Sequence, residues 1–121
     1  MENMKVQNYG TDKMVQFDNC DFETGIVVST GDLKKGAILT RGDDGNFKVW
    51  DGSAGNPVAV YVDDNEAQAG NIPCRALISG KVHKELIYVV DAAPTAAQFD
   101  ALKAAGIVAL PSTELNGFDN Q

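Results

Sequence analysis

The sequence predicts a mainly β, α+β domain: a compact small barrel or sandwich-like core, one short C-terminal helix and an extended N-terminal arm. Three observations carry that expectation. Short apolar runs rich in β-branched residues recur at spacings of roughly ten residues between Gly25 and His83. The chain has 12 glycines, most of them in polar clusters between those runs, which is the punctuation of a turn-rich β fold. One stretch alone, Ala96 to Ala105, has unbroken helix propensity. At 121 residues the chain is the length of one ordinary domain, and a single core can hold it.

The elements follow in chain order. Residues 1–21 are rich in Asn, Asp, Gln and Lys with thinly spaced apolar residues, too few to bury and fold alone. Lys13-Met14-Val15-Gln16-Phe17 alternates, so this arm suits the addition of a strand to another sheet. The core, residues 22–110, opens on the β-branched run Ile26-Val27-Val28. After a turn at Thr30-Gly31-Asp32 comes the strand Ala37-Ile38-Leu39-Thr40. The turn formers of 41–46 join it to the alternating Phe47-Lys48-Val49-Trp50, which marks a hairpin. Residues 51–57 form a second loop, and Val58-Ala59-Val60-Tyr61-Val62 is a strand. An acidic connection, 63–70, leads to Ile72 and Cys74-Arg75-Ala76-Leu77-Ile78, then to Ser79-Gly80 and Lys81-Val82-His83. Together, 25–83 reads as five or six short strands.

Pro94-Thr95-Ala96-Ala97-Gln98 is a helix start. Thr95 suits the N-cap, and Gln98 stands three residues on, where a capping box needs it. Phe99 and Leu102 share one face, and Gly106 ends the helix. Ile107-Val108-Ala109-Leu110 is a short strand stopped by Pro111. The tail, residues 111–121, is polar apart from Leu115 and Phe118.

Composition excludes several functions. A net charge of −7 and the lack of a basic stripe oppose both nucleic acid and anionic membranes as partners. No apolar run is long enough to span a bilayer, and the N-terminus lacks the apolar stretch of a secretory signal, so synthesis in a cytoplasm is expected. Two cysteines, Cys20 and Cys74, cannot build a structural zinc site. They could form one disulfide, but Cys74 reads better as a buried thiol.

The chemistry-bearing residues are sparse. A Ser-His-Asp or Cys-His site, as in a small hydrolase, would have to use His83, the only histidine. No nucleophile elbow accompanies it, and an ordinary strand histidine is the simpler reading. Asp43-Asp44-Gly45-Asn46 and Asp63-Asp64-Asn65-Glu66 lack the ligand spacing of a calcium loop and read as solvated turns. No phosphate loop or dinucleotide fingerprint is present, so no cofactor and no metal are expected. Trp50 with Tyr61, Phe47 and Tyr88 could make a sugar-stacking platform on a carbohydrate-binding or adhesion module; such residues more often anchor a core.

The order of motifs is more telling. Thr30-Gly31-Asp32-Leu33-Lys34-Lys35-Gly36-Ala37-Ile38-Leu39 leads to an Asp-Asp-Gly hairpin. An aromatic strand follows, ending in Trp50-Asp51-Gly52-Ser53. Asn56-Pro57-Val58-Ala59-Val60, an acidic loop, Gly70 and Arg75-Ala76-Leu77-Ile78-Ser79-Gly80-Lys81-Val82 come next. The series closes on Thr95-Ala96-Ala97-Gln98, then Ala101 to Val108. This series, spanning residues 22–110, resembles the head decoration protein D family of lambda-like tailed bacteriophages. The resemblance implies a non-enzymatic homotrimer on the outer surface of the virion. Such trimers sit at threefold and quasi-threefold positions of the expanded capsid and stabilise the head against internal DNA pressure. It also implies an N-terminal arm that orders on the capsid and pairs with the major capsid protein. By position, the arm is residues 1–21, with Val6, Tyr9, Met14, Val15 and Phe17 as the capsid-binding anchors.

Overall fold

The computed structural model describes residues 15–17, 19–31, 33–53, 55–63 and 69–111. The fold is mainly β with one helix, as the sequence predicts. Six strands form: β1 (Asp21–Thr30), β2 (Ile38–Arg41), β3 (Phe47–Val49), β4 (Pro57–Tyr61), β5 (Ala69–His83) and β6 (Ile107–Leu110). The helix, α1, is Ala96–Ala104. Five strands close a barrel in the order β1-β3-β2-β4-β5 and back to β1. Every contact is antiparallel except β1–β3, which is parallel and registers only Val27 with Phe47 and Val28 with Lys48. That short parallel pairing is the seam of the barrel.

Local chemistry sets the hairpin. Gly42 and Asn46 close the β2–β3 loop through Gly42 N–H to Asn46 C=O at 2.8 Å. The Asp44 carboxylate accepts the Asn46 N–H at 3.0 Å, an Asx-turn, and Gly45 takes φ +87. Pro57 stands at the first position of β4, where a missing N–H is tolerated.

The strand β5 is longer than the short strands expected over residues 25–83. It runs unbroken for 15 residues and pairs with β1 along that strand's whole length, from Thr30 opposite Ala69 to Asp21 opposite Ser79. Gly80 lies within this strand. It takes φ +130 just beyond an irregularity in the ladder near Asp21–Phe22, so the strand bends without stopping. Pro73 survives inside a strand because β4 pairs only with Ala76 and Leu77. Beyond them β5 has one open edge, and the proline nitrogen must face it. Asp63, from the acidic connection, accepts the Arg75 N–H at 3.0 Å on the same stretch.

Alternation along the strands builds two cores. On β4, Ala59 and Tyr61 face the barrel lumen with Phe47, Leu39, Val27 and Ile72. Val60 and Val62 face outward into a second cluster with Leu77, Leu102 and Ile107. Both faces of β4 are therefore buried, and its sequence is a continuous apolar run. Tyr61 and Phe47 are fully enclosed. At roughly 25 cal/mol per Å², two such rings contribute on the order of 8–12 kcal/mol of burial before entropy is charged.

The outer layer is α1, β6 and the segment 84–92. The capping box forms as the sequence predicts, with Gln98 N–H to the Thr95 hydroxyl and Thr95 N–H to the Gln98 carboxamide. Gly106 follows the helix at φ +98. β6 then lies parallel to β5, Ile107 opposite Gly80 and Leu110 opposite His83. In the segment before the helix, Val89 and Ala92 exchange both backbone hydrogen bonds, at 2.8 and 3.0 Å, around a two-residue turn. Its first residue, Val90, has φ +57, a conformation that suits Gly or Asn and strains a β-branched side chain. Val90→Asn should stabilise the protein by about 1 kcal/mol, read as a higher midpoint in thermal melting. A lower midpoint would mean that the valine's packing outweighs its backbone strain.

Candidate functional site

The N-terminal segment joins the fold at the far end of β5. Phe17 N–H donates to the Lys81 carbonyl at 3.0 Å, and His83 N–H donates to the Val15 carbonyl at 2.9 Å. Gln16 pairs antiparallel with Val82 between them. The stretch Lys81–His83 is thus flanked by β6 on one edge and by residues 15–17 on the other. Val15 is buried in the outer core. The Phe17 ring stands edge-on to the His83 imidazole, centroids 4.1 Å apart. Asn19, at φ +65, then turns the chain, and the Cys20 thiol donates back to the Phe17 carbonyl at 3.2 Å. Cys20 fits only because residue 80 is glycine: a Cβ there would meet the Cys20 Cα at 3.1 Å.

Two of the five expected capsid anchors are accordingly placed in this chain's own fold. Val15 is buried and Phe17 half-buried, both against the end of β5. Of the alternating stretch 13–17, Gln16 forms a single antiparallel bridge with Val82, so the edge met by the described residues belongs to the chain's own β5. Val6, Tyr9 and Met14 lie outside the described residues, as do residues 112–121 with Leu115 and Phe118.

The aromatic platform does not assemble. Stacking a sugar needs exposed ring faces, and Trp50, Tyr61 and Phe47 are all buried. Tyr88 is half-buried, with the Lys34 ammonium 4.0 Å from its ring centre. Among the described residues no three His, Cys, Asp or Glu side chains cluster as metal ligands would, and no helix is long and apolar enough to cross a membrane.

Both cysteines are free thiols. They lie near Gly80 and opposite Gly25 respectively, about 20 Å apart along β5 at the rise of a strand. Burial in the lumen, followed by the nearby carboxylates of Asp63 and Glu23, pushes the Cys74 thiol up to about 11. Its thiolate is therefore about 100-fold scarcer at pH 8 than that of an ordinary cysteine. In native protein Cys74 should resist alkylation at pH 8 and react once denaturant is added. Fast native labelling would show that the lumen opens. The same shift couples to stability. The unfolded chain loses this proton near pH 9 and the folded one near 11, so the fold loses stability as pH rises between them. Cys74→Ala should flatten that part of the melting profile relative to the parent, and an unchanged slope would exclude the thiol as its source.

The sheet that forms the barrel also leaves one face uncovered. β1 side chains at Thr24, Ile26, Val28 and Thr30 point away from the lumen and are exposed. Beside Val28 lies a groove of about 430 Å³ between β1 and the β2–β3 hairpin, with Phe47 and Val49 along it and Asp43, Asp44 and Lys48 at its rim. Sequence reasoning did not single out Ile26 or Val28 as surface residues, because a β-branched run reads as core from either face.

No family model matches this chain, and a comparison with curated proteins finds no match.

Proposed function

We propose that this protein is a non-enzymatic capsid decoration protein of a tailed bacteriophage. It is made in the host cytoplasm and binds as trimers at threefold and quasi-threefold positions on the outside of the expanded head. There it stabilises the shell against the pressure of packaged DNA. The observation that best supports the reading is how the N-terminal segment joins a closed barrel. The two backbone hydrogen bonds at Val15 and Phe17 tie residues 15–17, which follow residues 1–14 in the chain, directly to β5, the strand on which β1, β4 and β6 all pair. A grip made by that segment would pass into a rigid body, not into a loose loop. The motif order of residues 30–108 supports the same reading.

The physics of such a role is straightforward. A segment of sparse apolar residues in polar sequence gains little by itself, but it can add a strand to an exposed edge of the major capsid protein. Val6, Tyr9 and Met14 are the anchors left for that contact. Three arms on one trimer raise the effective concentration of one another's contacts, so weak single arms hold firmly together. A capsid edge that becomes available only on expansion would make attachment conditional on packaging. The charge of −7 keeps the protein off the nucleic acid that the shell contains.

Co-sedimentation with phage shells tests this. Full-length protein should pellet with expanded shells and not with unexpanded ones. Val6→Ala, Tyr9→Ala and Met14→Ala together should weaken attachment at least roughly 100-fold while leaving the melting temperature unchanged. Failure of the full chain to bind any expanded shell would sink the proposal.

A further inference from the structure

The seam of the barrel is also a groove. β1 and β3 share only two registered pairs, and the second sets Val28 opposite Lys48. Along this short seam, between β1 and the β2–β3 hairpin, runs the groove of about 430 Å³. That volume falls within the range of small-molecule sites, roughly 300–1,000 Å³. Its lining is apolar at Val28, which is 36% exposed, at half-buried Val49 and at Phe47. The rest is polar: exposed Thr30, Asp43, Asp44 and Lys48, with half-buried Asn46.

The charged groups of this lining are mixed in sign at close quarters. A Cβ at Gly42 would meet Asp44 Oδ1 at 3.2 Å and Lys48 Cδ at 3.8 Å, so a carboxylate and the lysine stem converge over one glycine. Asp44 is committed to the hairpin through Asn46. Asp43 and Lys48 are not: among the described residues neither forms a hydrogen bond or an ion pair. An anion entering the groove meets Asp43 and Asp44, and a cation meets Lys48. A wholly apolar ligand would strip water from all three charges and return no hydrogen bond, which is costly. A neutral polyol avoids each penalty. A hydroxyl donates to a carboxylate and accepts from an ammonium, and charge-assisted hydrogen bonds of this kind are the stronger ones. The C–H face of a sugar ring covers Val28 and Val49 at the same time. Aliphatic side chains give less contact than an aromatic platform, so the hydroxyl contacts carry most of the affinity.

We propose that this groove is a binding site for a neutral saccharide, about one or two pyranose units long. Asp43 accepts from the ring hydroxyls, Lys48 donates to them, and Val28 and Val49 take the apolar face of the ring. These polar groups are exposed and hydrated before the sugar arrives, so affinity is low, with a dissociation constant on the order of 1 mM. Val28 is registered with Asn71, whereas residues 15–17 join β5 at its 81–83 end. The site therefore lies away from the N-terminal segment and does not depend on the capsid role.

Amide NMR of the isotope-labelled full chain tests the assignment. The probes are lactose, maltose and cellobiose as neutral disaccharides, sialyllactose as an anion, glucosamine as a cation and leucine as a zwitterion, each taken to roughly 20 mM. At least one neutral disaccharide should shift the amides of residues 28–30 and 42–49 in a saturable way. Asp43→Ala with Lys48→Ala should weaken that binding at least roughly tenfold and leave the melting temperature close to the parent's, since both side chains are exposed and unpaired among the described residues. Val28→Asp, which sets a charge against the apolar face of the ring, should weaken it as well. The inference would be overturned by the absence of shifts with every neutral disaccharide, or by an Asp43→Ala, Lys48→Ala variant that binds as tightly as the parent. Tighter binding of sialyllactose, glucosamine or leucine at these residues would overturn it too.

Discussion

Gly36→Ala should cost at least about 3 kcal/mol and lower the melting temperature by roughly 10–15 °C. Gly36 sits where three segments cross. Its N–H donates to the Tyr61 carbonyl at 2.7 Å, and its carbonyl accepts from Tyr88 N–H at 2.9 Å. Its φ is +92, and a Cβ would collide with the carbonyl oxygen of Leu86. Two penalties add. The left-handed backbone strains any L side chain by about 1–2 kcal/mol. The collision is with backbone, so relief requires the segment 84–88 to move off the barrel, where it holds Ile87 in the outer core. Gly45→Ala is the matched control. Its φ of +87 is nearly the same, but no atom lies within 4 Å of the added carbon. It should cost only about 1–2 kcal/mol. Equal losses in the two variants, measured by thermal and urea unfolding, would show that backbone conformation alone decides and that the crossing at Leu86 is slack.

Leu102→Ala has the second large effect, about 3–4 kcal/mol from lost transfer and the cavity left behind. Leu102 is the one fully buried residue of α1. The helix packs on β6 and β4, so this side chain carries most of its attachment to the barrel. The capping box closes the first turn but cannot hold a nine-residue helix in place alone, since isolated helices of that length are marginal in water. Hydrogen exchange should therefore speed up across Ala96–Ala104 well before it does along the β1–β5 ladder. Uniform loss of protection across both would mean that helix and barrel open as one unit.

The parts of the fold legible in the sequence are those fixed by neighbours in the chain. The 41–46 hairpin follows from Gly42, Asp44 and Gly45 acting on each other's backbone. The helix limits follow from Thr95, Gln98 and Gly106. The β4 strand follows from a run of β-branched and small apolar residues. Each depends on atoms a few residues apart, so local propensity is enough. The length of β5 is not local: β1 pairs along it up to Ser79, and β6 takes over from Gly80 to His83. The candidate site is less legible still. Residues 13–17 show the alternation of a strand and give no sign that 15–17 join the far end of β5. Ile26 and Val28 look the same as Val27, and only their position beyond the outer layer makes them surface.

The arm, the barrel strands and the helix of the opening expectation are thus of two kinds. Local chemistry and composition are enough for a β-rich domain with one capped C-terminal helix, a net negative charge and a polar, sparsely apolar N-terminal segment. Turn chemistry, capping and charge are properties of short stretches and of composition. Long-range pairing is what makes β1 and β5 one long ribbon, closes the barrel with a two-residue parallel seam, buries Trp50 and Tyr61, and seats Val15 and Phe17 on β5. Each of these depends on pairing between residues far apart in the chain. A two-residue period marks which side chains share a face but not which face another element will cover.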